Sequence, residues 1–363
     1  MPQVFSPSQR LSNIALARQQ VIEQGAWLQA PLIEDWIQRS WQRCLQLGHS
    51  PQQAVSFDPI SQAQVHRLQE QHHSLLHAAQ TELDRLSQAI AGTRYFALLT
   101  DAQGMVIDTR GDIPQDSPRA RDIARVGVNL SEAHAGTTAI GAALAEHRPI
   151  WLHRGEHFFN GNASYSCAGA PLFDTAGTCV GMIDITGVDV PERPELQHLA
   201  AQSARHIQNS LLMHQQPALM LRLNWAGQPL GSDGDGWLGL DAEGALVGAN
   251  QTARQILQLN PEHAHASDVF ATAWTSLFDV QAAPHSVEVP LWSGLRVQLQ
   301  RTSPQAASTP AATLAAPLKA VEDDLIRRAM QQARGNVAEA ARRLGISRAT
   351  LYRKISPQKK SAK

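Results

Sequence analysis

The stretch Tyr165–Gly187, YSCAGAPLFDTAGTCVGMIDITG, reads as two apolar strands joined by a turn at Asp174-Thr175-Ala176-Gly177. Short apolar runs bounded by turn residues mark an antiparallel hairpin. A second hairpin stands upstream in RYFALLTDAQGMVIDTR (Arg94–Arg110), turning at Asp-Ala-Gln-Gly. Between the two lies a helical stretch rich in small residues, EAHAGTTAIGAALAEH (Glu132–His147), followed by the strand-like PIWLH. A closing helix, PELQHLAAQSARHIQNSLLMH (Pro194–His214), completes the set. Hairpin, helix, hairpin and long helix predict an α+β domain built on an antiparallel sheet.

Outward from this core, residues 8–48 read as helical, with Leu32, Trp36, Trp41, Cys44 and Leu45 near one face and a stop at Gly48. Residues 61–91 predict one long amphipathic helix striped by Leu68, Leu75, Leu76, Leu83, Leu86 and Ile90. Beyond the closing helix, Gln215–Gly236 reads as a break. Then comes GWLGLDAEGALVGANQTARQILQL (Gly236–Leu259), predicting strand, turn, strand and helix, and HSVEVPLWSGLRVQLQR (His285–Arg301) is again strand-like. The Ser/Thr/Pro/Ala-rich segment before Lys319 has the composition of a flexible linker.

The 363 residues leave room for two or three domains. Net charge is −1, but Lys319–Lys363 carries twelve Lys/Arg against four Asp/Glu, or +8, so the preceding 318 residues carry −9. No lysine precedes Lys319. A basic tail on an acidic body predicts that the tail alone meets a polyanion. Three cysteines, Cys44, Cys167 and Cys179, without a C-x-x-C pair fit a reducing compartment. No Cys/His spacing resembles a zinc site, and no cofactor is called for. No apolar run approaches the ~20 residues of a membrane span, and no signal core follows the N-terminal residues, so a cytoplasmic protein without a membrane partner is expected.

The tail is the most specific signal. In GNVAEAARRLGISRATLYRKI (Gly335–Ile355), Asn336 is placed to cap a helix whose packing face is Val337, Ala340, Ala341 and Leu344. Ser347 caps a second helix. Ser347, Arg348, Thr350, Tyr352, Arg353 and Lys354 then face outward, and Arg342 and Arg343 stand at flanking-phosphate positions. Arg348 is expected to read a base edge, because Arg bonds guanine bidentately, while the others position the backbone.

This tail resembles the Fis-type helix-turn-helix that ends bacterial enhancer-binding regulators, over about residues 319–356. The resemblance implies double-stranded DNA as partner, and a dimer formed through the helix at about Lys319–Arg334. Such regulators usually carry an AAA+ ATPase that acts on sigma-54 polymerase. Its Walker A loop needs a Gly-Lys pair, and none occurs in this chain. The segments SWQRC (Ser40–Cys44), GVNLSEAHAGTTAIGAALAEHRPI (Gly127–Ile150), GEHF (Gly155–Phe158) and Tyr165–Gly187 look like the GAF-domain sensor of the acetoin and glycerol catabolism activators, over roughly residues 30–215. GLDAEGALVGANQTARQIL resembles a PAS module.

The expectation is therefore a multidomain α+β protein. It has a helical region at 1–91, a GAF-like antiparallel sheet with helices at 92–215 and a smaller PAS-like α+β module at 217–303. A linker at 304–318, an all-α helix-turn-helix at 319–356 and a basic tail at 357–363 follow. It is read as a ligand-sensing transcriptional regulator and not an enzyme. The resemblance implies a small effector such as a diol, alcohol or related metabolite, with RNA polymerase or a full-length paralogue as further partners. The pocket should lie over the sheet, roofed by the small-residue helix. Its candidate liners are Thr137, Thr138, Ile140, Gly141, His157, Phe158, Tyr165 and Cys167. Thr137 and Thr138 serve equally well as helix caps, and His157 as a structural hydrogen-bonder. Two other readings stand beside this one. A cysteine-dependent GAF-type reductase would need an activated thiolate at Cys167 or Cys179. A sequence-tolerant architectural DNA protein would use the tail alone.

Overall fold

Three Asp-x-x-Gly turns close their hairpins in the same way. The computed structural model describes residues 7–28, 32–57, 60–260, 262–282 and 285–302. In the C-terminal segment it describes 326, 329, 330, 333, 336–344, 346–348, 350 and 351, with the side chains of 7, 8 and 343 excepted. Asp101 Oδ1 accepts from the backbone N–H of Gln103 and Met105, both at 2.9 Å. Asp174 Oδ1 does the same for Ala176 and Thr178, and Asp241 Oδ1 for Glu243 and Ala245. The glycine of each turn takes a positive φ: +81° at Gly104, +89° at Gly177 and +87° at Gly244. L-residues with a side chain rarely hold that conformation.

These turns organise two antiparallel sheets. The first contains β1 (Tyr95–Asp101), β2 (Val106–Arg110), β3 (Ile150–His153), β4 (Tyr165–Phe173) and β5 (Cys179–Val188) in the order β2-β1-β5-β4-β3. Its two faces separate cleanly. Tyr95, Ala97, Leu99, Ala168, Ala170, Ile183 and Ile185 pack against the long helices α4 (His73–Ala89) and α8 (Leu196–His214). Phe96, Leu98, Cys167 and Met182 face a second layer. That layer comprises α1 (Pro7–Arg18), α2 (Asp35–Gln46), α5 (Pro118–Ile123), α6 (Glu132–Ala135) and α7 (Ala139–Glu146).

The second sheet contains β6 (Leu219–Trp225), β7 (Gly236–Leu240), β8 (Leu246–Ala249), β9 (Val287–Pro290) and β10 (Arg296–Arg301) in the order β8-β7-β6-β10-β9. One face is covered by α9 (Gln251–Leu257) and the short turns after it. The other receives Leu212 and Met213 from the end of α8, against Met220 and Trp237. Helix α8 is thus shared by both sheets.

Several elements depart from the sequence reading. The segment read as a break contains β6, the central strand of the second sheet. Residues 8–48 hold two α-helices with a π-helical turn at Gln19–Glu23, not one continuous helical stretch. The predicted 61–91 helix divides at His72 into α3 (Gln62–Gln71) and α4. The small-residue helix divides into α6 and α7, because Gly136 has φ +65° and Thr138 starts a new N-cap. Among the described residues no helix is long and apolar enough to cross a membrane.

The two sheets are joined by a polar contact as well as by packing. His206 on α8 bonds Glu82 of α4 through Nδ1 (3.0 Å) and Asp233 of the second module through Nε2 (3.3 Å). Gln202 and Arg205 also donate to Asp233. Burial alone would lower the His206 pKa, but the bonds to Asp233 and Glu82 outweigh it and raise it to about 9. A folded-state pKa above the ordinary His value gives stability that is full below pH ~6.5 and lost as pH rises through 9. The substitution His206→Gln should lower unfolding stability by roughly 1–3 kcal/mol at pH 6, and should flatten the decline between pH 6.5 and 9. Urea melts across that range check both.

Candidate functional site

The roof over the first sheet is tied down from α2. Ser40 Oγ donates to Glu132 Oε1 at 2.5 Å and sits 2.7 Å from Thr137 Oγ1. Arg43 grips both oxygens of Glu132, at 2.7 and 2.8 Å, and reaches Glu146 at 3.0 Å. Arg39 also pairs with Glu146. Thr138 caps α7, accepting from Gly141 N–H at 2.9 Å and donating to Leu130 O at 2.8 Å. Gly141 is bare because α7 crosses α6 there: a Cβ would lie 2.7 Å from both Glu132 N and Glu132 Cγ.

Beneath this roof lies a narrow cavity of about 20 Å³, room for one or two waters as it stands. Ala135, Thr138, Ala139 and Ile140 form its upper wall, and Tyr165, Cys167, Asp184 and Thr186 project from β4 and β5 below. Phe57, Ile123, Leu130, His157 and Asn162 close the sides. Five of the eight predicted liners converge here: Thr138, Ile140, His157, Tyr165 and Cys167. Three do not. Thr137 turns to Ser40 and Cys44, Gly141 serves the helix crossing, and Phe158 is buried against Phe159 and His49. Asp184, Thr186 and Asn162 were not foreseen. The available signal was a lone Asp and Thr on one face of the apolar strand VGMIDITG.

The polar strip of the cavity has a defined protonation pattern. His157 Nδ1 lies 2.9 Å from Arg154 O; a carbonyl only accepts, so Nδ1 carries the proton. Burial lowers the His157 pKa to about 4, so the ring is neutral and Nε2 is an acceptor. That atom faces Cys167 Sγ at 3.6 Å. Thr186 Oγ1 bridges Cys167 Sγ (3.3 Å) and Asp184 Oδ2. Burial raises the Asp184 pKa to about 7, against the opposing hydrogen bond from Thr186. The turn carrying His157 is clamped by Arg18, which donates to the carbonyls of Gly155, His157 and Phe158 and to Asn160 Oδ1.

The cysteines lack the features of a reactive pair. Burial pushes the Cys167 thiol well up, beside a neutral imidazole. Cys44 is likewise raised by burial, to about 11. Cys167 pairs across the hairpin with Thr186, and Cys179 with Phe173. Six strand positions separate the two sites, or roughly 20 Å, too far for a disulfide. Among the described residues no cluster of His, Cys, Asp and Glu could hold a metal ion.

At the other end of the chain, α10 (Val337–Arg343) starts from Asn336, whose side chain accepts from Ala338 and Glu339 N–H at 3.0 and 3.2 Å. Ala340, Ala341, Leu344 and Leu351 are buried with Ile326, Ala329 and Ala333, and Val337 and Ile346 pack at the margin. Ser347 Oγ accepts from Thr350 N–H at 3.0 Å and lies 2.8 Å from Thr350 Oγ1, so it caps the next turn. Arg348 is exposed. Arg342 is exposed and paired with Glu339. Tyr352, Arg353 and Lys354, with the Arg343 side chain, lie outside the described residues.

Two separate parts of the chain match families of regulatory proteins. Residues 317–356 match the family described as bacterial regulatory protein, Fis family. Residues 11–209 match the MimR N-terminal domain, and the chain belongs to that family. It is 32% identical over 251 residues to the acetoin catabolism regulatory protein of Cupriavidus necator, covering 68% of this chain and 38% of that one. It is 30% identical over 198 residues to the propane 2-monooxygenase operon transcriptional activator MimR of Mycolicibacterium smegmatis, covering 54% and 32%. The acetoin dehydrogenase operon activator AcoR of Bacillus subtilis is 28% identical over 165 residues, covering 45% and 27%. The chain thus spans about a third of the length of these relatives. Among solved structures, the Escherichia coli DhaR(N)–DhaL complex is similar at 15% identity and a TM-score of 0.47, covering 74% of this chain and 100% of that one.

Two outcomes follow from the geometry. Gly141→Ala should destabilise the chain by roughly 1–3 kcal/mol, measurable by thermal or urea melts, because the crossing with α6 has no space for a methyl group. In native protein, iodoacetamide should label half-buried Cys179 first and leave Cys44 and Cys167 protected, as mass spectrometry would report. Rapid labelling of Cys167 would instead point to an activated thiol.

Proposed function

We propose that this chain is a one-component transcriptional regulator that binds a small metabolite in the cavity between α6–α7 and the β4–β5 hairpin and reads double-stranded DNA with its Fis-type tail. The observation that carries this reading is the pairing of a narrow cavity lined in part by polar residues with a capped helix-turn-helix on one chain. Arg348 reads a base edge near the start of the second helix. Thr350, Tyr352, Arg353 and Lys354 set the backbone register, with Arg342 and Arg343 at flanking phosphates. Ser347, whose hydroxyl caps the helix, offers a contact at its N-terminus. Thr138, Ile140, His157, Tyr165 and Cys167 line the effector site, joined by Asp184, Thr186 and Asn162. The chain acts in the cytoplasm as a homodimer, so that two recognition helices meet half-sites one turn apart.

The effector belongs to the small diols, alcohols and related metabolites, a class in keeping with the acetoin and propane operons in the relatives' names. The second sheet occupies the stretch between sensor and tail where enhancer-binding regulators carry their ATPase. On this reading the chain does not drive sigma-54 polymerase by itself. It acts by occupying sites, by contact with RNA polymerase, or by tuning a full-length paralogue. The effector shifts a conformational equilibrium that changes how the two readers are presented.

The test is selection of DNA sites from a random pool by the purified chain, followed by titration of variants. Arg348→Ala should lose discrimination between the selected motif and scrambled DNA. Lys354→Ala should weaken both nearly equally and reduce the salt slope by about one. Equal loss from both variants on all sequences, or a pool that yields no shared motif, would contradict the reading and favour an architectural role.

A further inference from the structure

Asp184 is only half satisfied by the hydrogen bonds of the fold. It stands in the middle of β5, paired in register with Leu98 of β1 and Gly169 of β4, and is 1% exposed. Its Oδ2 accepts from Thr186, while its Oδ1 is buried without a partner among the described residues. A buried polar atom left unpaired is costly, and each one calls for an explanation. The residue lines the cavity. Its neighbour across the ladder, Gly169, is bare because a Cβ there would lie 2.2 Å from Met182 Cε, while it would make only an ordinary 3.4 Å contact with Asp184 Oδ1.

The surroundings disfavour a charge on this acid. The titratable groups facing the cavity are Cys167 and Tyr165 from β4 and His157 from the turn after β3. The thiol and the phenol are raised by burial and the imidazole is lowered by it, so all three are neutral. From α7 come only Ala139 and Ile140, and from β1 only Leu98. No cation is among the lining residues, so nothing compensates a carboxylate. A protonated carboxyl offers one donor and one acceptor, and the rest of the lining includes the apolar Phe57, Ile123, Leu130, Ala135 and Ile140.

We propose that Asp184 is the specificity-determining residue of the effector site: in its acid form it anchors an uncharged oxygen, hydroxyl or carbonyl, on a short carbon chain, and it excludes carboxylates. This rests on the reading of the cavity as the effector site. An anionic ligand would meet a buried acid with no cation to offset it, whereas an alcohol or ketone leaves the site neutral. Ionisation of Asp184 with rising pH removes the donor, so affinity falls as pH passes through the neutral range.

Calorimetric titration of the full chain with 2-butanol, 2-butanone, butyrate and 2-aminobutane at pH 6 to 8.5 tests this. The alcohol and ketone should bind, and butyrate should not. The affinity of the first two should fall about tenfold per pH unit above pH 7. Asp184→Asn, which keeps the shape and an N–H donor, should bind within a few-fold of wild type without that pH dependence. Asp184→Val should lose about tenfold or more. If the Val variant does not fold, the contrast in pH profile between wild type and Asn decides alone. Best binding by the amine, strengthening with pH and lost in Asn, would show an ionised Asp184 and overturn the inference. Equal affinity in the Val variant would also overturn it while leaving the cavity as the effector site. Binding by none of the four would overturn both.

Discussion

The β4–β5 hairpin is the constraint on which the rest depends. One end of its ladder, where Cys167 faces Thr186 and Gly169 faces Asp184, forms the floor of the cavity. The other end is the Asp174–Gly177 turn. There Thr175 O accepts from Ala249 N–H of β8 at 3.1 Å, over a glycine: a Cβ at Gly248 would lie 2.4 Å from Thr175 Cβ. A slip of one residue in this pairing would turn Asp184 and Thr186 to the opposite face and misplace the tip. Cavity floor and inter-module contact are therefore two ends of one hydrogen-bonded unit.

Helix α8 gives that unit a second, parallel support. Leu199, Ala200 and Ile207 pack on the first sheet, while Leu212 packs on the second. Asn209 accepts from Asn250 Nδ2 at 2.8 Å, and His206 holds Asp233. The roof packs on β4 and β5 and is also tied to α2, through Arg43, Glu132 and Ser40. A ligand that parts roof from floor thus acts between one assembly anchored on α2 and another anchored on the second module. On the proposed reading, this is where an effector would make the differential contact that a population shift needs.

How much of this was legible in the sequence varied with the local chemistry. Asp-x-x-Gly turns and the Asn336 and Ser347 caps were readable because each is satisfied within a few residues. The alternation in Leu219–Trp225 was hidden between Gln-Gln-Pro and a Gly/Asp-rich turn, and its pairing with β10 spans seventy-odd residues, which no local pattern encodes. The division between α6 and α7 was signalled by Ala-Gly-Thr-Thr, but small residues on both sides favoured a single helix. Thr137 and Thr138 are adjacent in sequence yet have separate roles, one bonded to α2 and the other capping α7 at the cavity. Asp184 looked like one polar residue in a core strand. Its significance comes from what is missing around it among the described residues, a partner for Oδ1 and a cation in the cavity lining.

Genome-wide mapping of this chain's DNA sites in cells grown with and without short-chain alcohols and ketones tests the central claim most directly. A sensor coupled to a sequence-specific reader predicts a shared, two-fold-symmetric motif at a limited set of promoters, with occupancy that changes when the effector is supplied. Occupancy without a common motif, or a motif whose occupancy is indifferent to every such compound, would contradict it.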